Sequence, residues 1–153
     1  MSKKSGRGAS DSRDVTTAAG LYEVLVADYH AQALPDGVHY RFEVVWRSES
    51  DKQEMIASYA NVPGLGDVLY VAASLVESPT EARTRDILER IGEFLDGDAV
   101  MSGGHLQLRI CLPMAGLTIE MLRARLRNLA GAATSIRRDF ADDDETGTLT
   151  FGY

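Results

Sequence analysis

The sequence predicts an α+β domain in which an antiparallel sheet packs with helices in two layers, its elements running αβββαββα. Three observations predict it. Apolar and polar residues alternate from Val38 to Arg47, and a continuous apolar run covers Val68 to Val76. Between Gly103 and Ala130 the apolar period changes from two residues to about three and a half, the mark of a strand feeding directly into an amphipathic helix.

The first element lies between Asp14 and Leu34, where Ala18, Leu21, Tyr22, Leu25, Val26 and Tyr29 follow helical spacing. Gly20 weakens this helix, and the run LYEVLV on its own also fits a strand. Pro35-Asp36-Gly37 makes a turn. Val38, Tyr40, Phe42, Val44 and Trp46 then alternate with His39, Arg41, Glu43, Val45 and Arg47 as in a half-buried strand. The polar run Ser48 to Lys52 reads as a hairpin loop, Gln53 to Ala60 as the second strand, and the turn-rich Asn61 to Asp67 as the next connection. The third strand, Val68 to Val76, is apolar on both faces and therefore central.

Ser78-Pro79-Thr80-Glu81 offers a cap at Ser78, proline at the first helical position and a glutamate that completes a capping box. The helix it opens runs to Leu95, with Ile87, Leu88, Ile91, Phe94 and Leu95 on its apolar side. Asp96-Gly97-Asp98 ends that helix, a short strand follows over Ala99 to Met101, and Gly103-Gly104 turns the chain back. In the last strand Leu106, Leu108, Ile110 and Leu112 face one way and Gln107, Arg109 and Cys111 the other, and Pro113, which cannot donate to a ladder, sits at its end. Thr118 caps the final helix, Glu120 favours its N-terminal dipole, and Leu117 with Leu122 has the spacing of a hydrophobic staple. That helix buries Leu122, Leu126, Leu129, Ala133 and Ile136. There is no internal repeat.

At 153 residues the chain fits one domain with a core of its own. The domain spans 14–138, between a disordered basic tail over 1–13 and an acidic tail over 139–153 whose TLTFGY end also fits a strand. The single cysteine, Cys111, excludes an intramolecular disulfide and a multi-cysteine metal site, which favours a reducing, cytoplasmic setting. No apolar stretch follows the basic N-terminus and none approaches the ~20 residues of a bilayer span, so neither a signal peptide nor a membrane segment is expected. The net charge of −7 leaves the body of the chain acidic, which repels phosphate backbones and suits a protein partner better than nucleic acid.

No motif names a chemistry. His30, His39 and His105 match no zinc spacing, Asp96-Gly97-Asp98 lacks the ligand series of a calcium loop, and Gly64-Leu65-Gly66 has too few glycines for a phosphate loop. Catalysis by Cys111 would need His39 or His105 brought beside it across the sheet. Arg123, Arg125, Arg127, Arg137 and Arg138 spread around the last helix and read as a solvated face of weak ion pairs. Tyr40, Phe42 and Trp46 share a strand face that a helix would cover, so they read as core rather than as a base-stacking platform. No catalytic residue, metal or cofactor is expected.

The element order, the small acidic chain and the run from Gly103 to Ala130 resemble the type III secretion chaperone-like fold, including the Tir chaperone and YbjN families. In those families a strand ending in Leu-Pro leads through Gly-Leu-Thr or Gly-Leu-Asp into the final amphipathic helix. The matching residues are Leu112, Pro113, Gly116, Leu117, Thr118 and Leu122, and the likeness covers about residues 15–138 in outline. The resemblance implies a non-enzymatic, cofactor-free homodimer that holds an extended segment of a protein or peptide client. It would place Ile87, Leu88, Ile91 and Leu95 at the dimer interface, although the same stripe suits packing on the chain's own sheet. Val45, Val68, Tyr70 and Cys111 alternate away from the core and are the expected partner-binding surface. The alternatives are a nucleic-acid adaptor using Arg123, Arg125 and Arg127 and, more remotely, a cysteine-dependent enzyme.

Overall fold

The computed structural model describes residues 12–47, 51–92 and 97–141. Outside them fall Leu95 and Phe94 of the predicted second helix, most of the predicted hairpin loop, nearly all of the predicted basic tail and the TLTFGY segment. The elements are α1 (Ala18–Tyr29), β1 (Gln32–Ala33), β2 (His39–Val45), β3 (Lys52–Val62), β4 (Gly66–Glu77), α2 (Glu81–Ile91), β5 (Asp98–Ser102), β6 (His105–Pro113) and α3 (Ile119–Ala141). The strands form one antiparallel sheet in the order β1-β2-β3-β4-β6-β5, so β4 is central, as its two-faced apolar sequence requires. The α+β class holds, and the order differs from the expected αβββαββα by one additional strand, β1.

That strand exists because the first helix stops at Tyr29, short of the Leu34 end of the predicted element. His30 adopts a left-handed conformation with φ 58°. Its N–H donates to the Val26 carbonyl at 3.1 Å and the Ala31 N–H donates to the Leu25 carbonyl at 3.1 Å. This left-handed stop, whose hydrogen bonds reach back four and six residues, ends the helix and releases Gln32 and Ala33 to pair with Arg41 and Tyr40. Inside α1 the buried positions are Leu21, Val24 and Leu25, while the predicted Val26 is exposed.

At the other end of α1 the Thr17 hydroxyl accepts from the Gly20 N–H at 3.1 Å. A Cβ on Gly20 would run into the backbone carbonyl oxygen of Asp14. Helix propensity alone makes Gly20→Ala stabilising by ~1 kcal/mol. The close approach reverses the sign, and the variant is expected to lose about 1–3 kcal/mol in chemical denaturation. A gain in stability would show that the 14–17 segment moves aside freely.

α2 starts two residues later than its sequence signal. Thr80, not Ser78, is the cap, its hydroxyl accepting from the Arg83 N–H at 3.0 Å. Ser78 instead has φ 48° and donates its N–H to the Gly104 carbonyl at 2.7 Å, which ties the end of β4 to the β5–β6 turn. Two residues can each serve as a cap in SPT, and this tertiary hydrogen bond decides between them.

The sheet has one covered and one open face. On the covered face Phe42, Val44, Met55, Ala57, Leu69, Val71, Ala73, Leu108, Ile110 and Leu112 meet Leu21 and Leu25 of α1 and Leu122, Leu126, Leu129, Ala133 and Ile136 of α3 in one core. A bulge between Ser74 and Val76 turns both Leu75 and Val76 inward, and Ile87 and Ile91 of α2 join the same core. Thr118 caps α3 as expected, accepting from the Met121 N–H at 3.1 Å. Phe42 is buried and Trp46 packs on the core, its ring 3.4 Å from where a Gly131 Cβ would stand, so the aromatic strand face is core. Tyr40 is half-buried between Tyr22 and Tyr59, with ring centroids 4.9 and 5.4 Å away. Burial pushes the Tyr59 phenol up, and its hydroxyl donates to the Ala18 carbonyl at 3.0 Å.

Candidate functional site: the open face and outer edge of the sheet

The open face follows from strand parity. His39, Ser58, Tyr70 and Cys111 form one cross-strand row, and Arg41, Ile56, Ala72, Arg109 and Asp98 form the next. Val45, Tyr70 and Cys111 lie on this face, as the alternation predicts, with Val45 exposed and the other two half-buried. Val68 points the same way, in register with Ala60 and Pro113, but is fully buried and offers no surface to a partner.

At the β2 edge the main chain itself is open. The His39 carbonyl accepts from the Leu34 N–H at 2.8 Å on the β1 side, while the Trp46 N–H donates to the Asp51 carbonyl at 3.2 Å on the β3 side. Peptide groups alternate along an antiparallel strand, so Arg41, Glu43 and Val45 aim their N–H and C=O groups outward. β1 pairs only as far as Arg41. Among the described residues no strand lies beyond Glu43 and Val45, because the chain turns away at His30 into α1. A groove of about 590 Å³ lies at this edge, lined by Asp28, Tyr29 and Gln32, by Glu43 and Val45 of β2, and by Lys52 and Glu54 of β3.

The groove wall is fixed by charge. Arg13 donates to both carboxylate oxygens of Asp28 at 3.1 and 2.9 Å, and Arg123 approaches the same group at 3.5 Å. The Arg13 hydrogen bonds, aided by Arg123 and opposed by partial desolvation, hold the Asp28 carboxyl below the ordinary carboxylate range. Arg13, the last residue of the expected basic tail, is thus ion-paired with α1. Burial raises the neighbouring Tyr29 phenol. At the β1–β2 turn the Asp36 carboxylate accepts from the His39 and Val38 N–H groups at 3.0 and 2.8 Å and meets the His39 ring at 2.7 Å. Those backbone bonds, then the ring, bring its pKa down to about 2.

The arginines of α3 are engaged with the chain itself. Besides Arg123 on Asp28, Arg127 donates to the Trp46 carbonyl at 3.3 Å and Arg138 to the buried Asp51 at 2.5 Å. Arg47 reaches the other Asp51 oxygen at 2.9 Å. Arg123 and Arg127, on which the nucleic-acid alternative leaned, therefore help fasten α3 to the α1–β2 side of the domain.

The structure does not bring a histidine to Cys111. His39 shares its row but stands three strands away, roughly 14 Å at ~4.8 Å per strand. His105 is on the same strand, at its opposite end. Among the described residues no group of three or more His, Cys, Asp or Glu gathers to hold a metal, and no helix is long and apolar enough to cross a membrane. In the stripe expected at a dimer interface, Ile87 and Ile91 turn into the chain's own core, Leu88 is exposed, and Leu95 falls outside the described residues. Comparison with protein-family models and with curated proteins gives no match.

Proposed function

We propose that this protein is a non-enzymatic protein-binding module, a chaperone or adaptor that holds an extended segment of a partner by adding it as a strand along the outer edge of β2. The observation that carries this reading is the pair of outward main-chain groups at Glu43 and Val45 beside a groove of about 590 Å³. Strand addition takes its affinity from main-chain hydrogen bonds and its selectivity from alternate side chains. Here those side chains would meet Val45 on one side and the Asp28–Gln32 wall on the other. The chaperone-like resemblance of the element order agrees with it, and the homodimer and cytoplasmic setting that go with the resemblance remain part of the proposal. Leu88 is the one described member of the expected stripe that faces solvent to serve such a dimer.

Val45→Pro tests the reading cleanly. It deletes one outward N–H while the β2–β3 ladder, built from the even-numbered residues, keeps its donors. Partner segments recovered with the wild-type protein from cells are expected to bind the variant at least about tenfold more weakly, while its thermal unfolding stays cooperative. Unchanged binding in a folded Val45→Pro protein overturns the edge assignment.

A further inference from the structure

A second concavity, of about 330 Å³, lies in the middle of the open face. Arg109 stands in it with its guanidinium carbon 4.6 Å from the centroid of the Tyr70 ring. None of the groups lining this hollow is a carboxylate. Asp98, across from Arg109 in the ladder, makes no ion pair with it, and the nearby His39 ring is taken by Asp36. Among the described residues Arg109 is therefore a half-buried cation held by an aromatic ring and faced by no anion.

We infer that this hollow binds the C-terminal carboxylate of a peptide whose last side chain is a small or branched apolar one. The Tyr70 ring holds the guanidinium carbon 4.6 Å from its centroid, and the N–H groups that do not face the ring can make the paired hydrogen bonds that a carboxylate accepts. Gln107 and Ser58 add donors, and Ile56, Ala72 and Val100 supply an apolar floor for the side chain. One cation suits a monoanion; a phosphate dianion would meet too little positive charge. The volume is at the lower end of ligand pockets and the hollow is open to solvent on the sheet face. Those features fit the end of a chain whose remainder lies outside, whereas a free small acid would stay half in water.

This inference shares with the edge reading only that the ligand is a polypeptide. Arg109, on β6, stands three strands from the β2 edge, so each can fail alone.

The test is a calorimetric titration with N-acetyl-Gly-Gly-Gly-Leu bearing a free C-terminus, its C-terminal amide, 4-methylpentanoate and inorganic phosphate. The free-acid peptide is expected to bind at least about tenfold more tightly than the amide, the short acid or phosphate. Arg109→Gln is expected to remove that preference, Arg109→Lys to keep only part of it, and Val45→Pro to leave it intact. Equal binding of acid and amide overturns the inference. So does phosphate or the short acid matching the peptide, or an Arg109→Gln protein with wild-type affinity. Thermal unfolding of each variant accompanies the titration, and Arg109→Lys, which retains the charge over Tyr70, carries the comparison if Arg109→Gln does not fold.

Discussion

Truncating Leu122 to alanine is expected to cost about 2–5 kcal/mol, among the largest effects of any single side-chain truncation here. Leu122 is wholly buried on the first turns of α3, in the core shared with α1 and the covered face of the sheet. Its loss removes apolar transfer energy and leaves a void that close-packed neighbours on a sheet cannot fill without moving backbone. The adjacent Met121 is half exposed, and Met121→Ala is expected to stay within about 0.5 kcal/mol of wild type. Urea denaturation separates the two: Leu122→Ala should lower the midpoint with little change in slope. Equal midpoints for both variants would mean that α3 is not anchored through this face.

The second large effect is expected from removing two guanidinium groups that face Asp51, those of Arg47 and Arg138. The Asp51 side chain is only 3% exposed, while Arg47 and Arg138 are 62% and 55% exposed. The arginines can return to water, but the carboxylate cannot follow them without opening the hairpin end of the sheet. Arg47→Met with Arg138→Met is therefore expected to destabilise the fold by about 3 kcal/mol, each single change costing less than half of that. Adding Asp51→Asn to the double variant should recover a large part of the loss, since a neutral amide is far cheaper to bury than a carboxylate. A triple variant no more stable than the double one would show that the arginines act by covering apolar surface rather than by facing the charge.

Most of this architecture is legible in local periodicity. The alternation over Val38 to Trp46, the two-faced apolar run of β4 and the period switch into α3 each describe a segment whose neighbours agree with it, and each is found where its pattern places it. The misses are places where a tertiary contact outvotes a local signal. Gly20 reads as a helix weakness, yet the backbone of Asp14 packs against it. Ser78 reads as a cap, yet its N–H is committed to Gly104. The stop at His30 has no glycine to announce it, so α1 reads too long and β1 is hidden inside it.

The candidate sites were legible to a smaller degree, for a related reason. Parity along a strand puts Val45, Tyr70 and Cys111 on the open face, but it says nothing about which strands adjoin. Only the pairing of β4 with β6 sets Arg109 over Tyr70, and only the brevity of β1 leaves the backbone of Glu43 and Val45 facing outward. Val68 shows the limit of the method, being correctly oriented and yet sealed by its neighbours.

The position of α3 after all six strands in the sequence has a consequence for biosynthesis. Strands β2, β3 and β4 follow one another closely in sequence and can pair as soon as they leave the ribosome, but the covered face they create, with Phe42, Val44, Met55, Leu69 and Val71, waits for Leu122 to Ile136 before anything lies over most of it. A nascent chain released or stalled ahead of Ile119 would present a ready-made apolar sheet with an open edge, a species prone to pair with copies of itself. Ribosomes translating this message thus hold their most adhesive intermediate for the time needed to synthesise the residues from β4 to α3, and its yield in a cell should depend on how quickly that stretch is read.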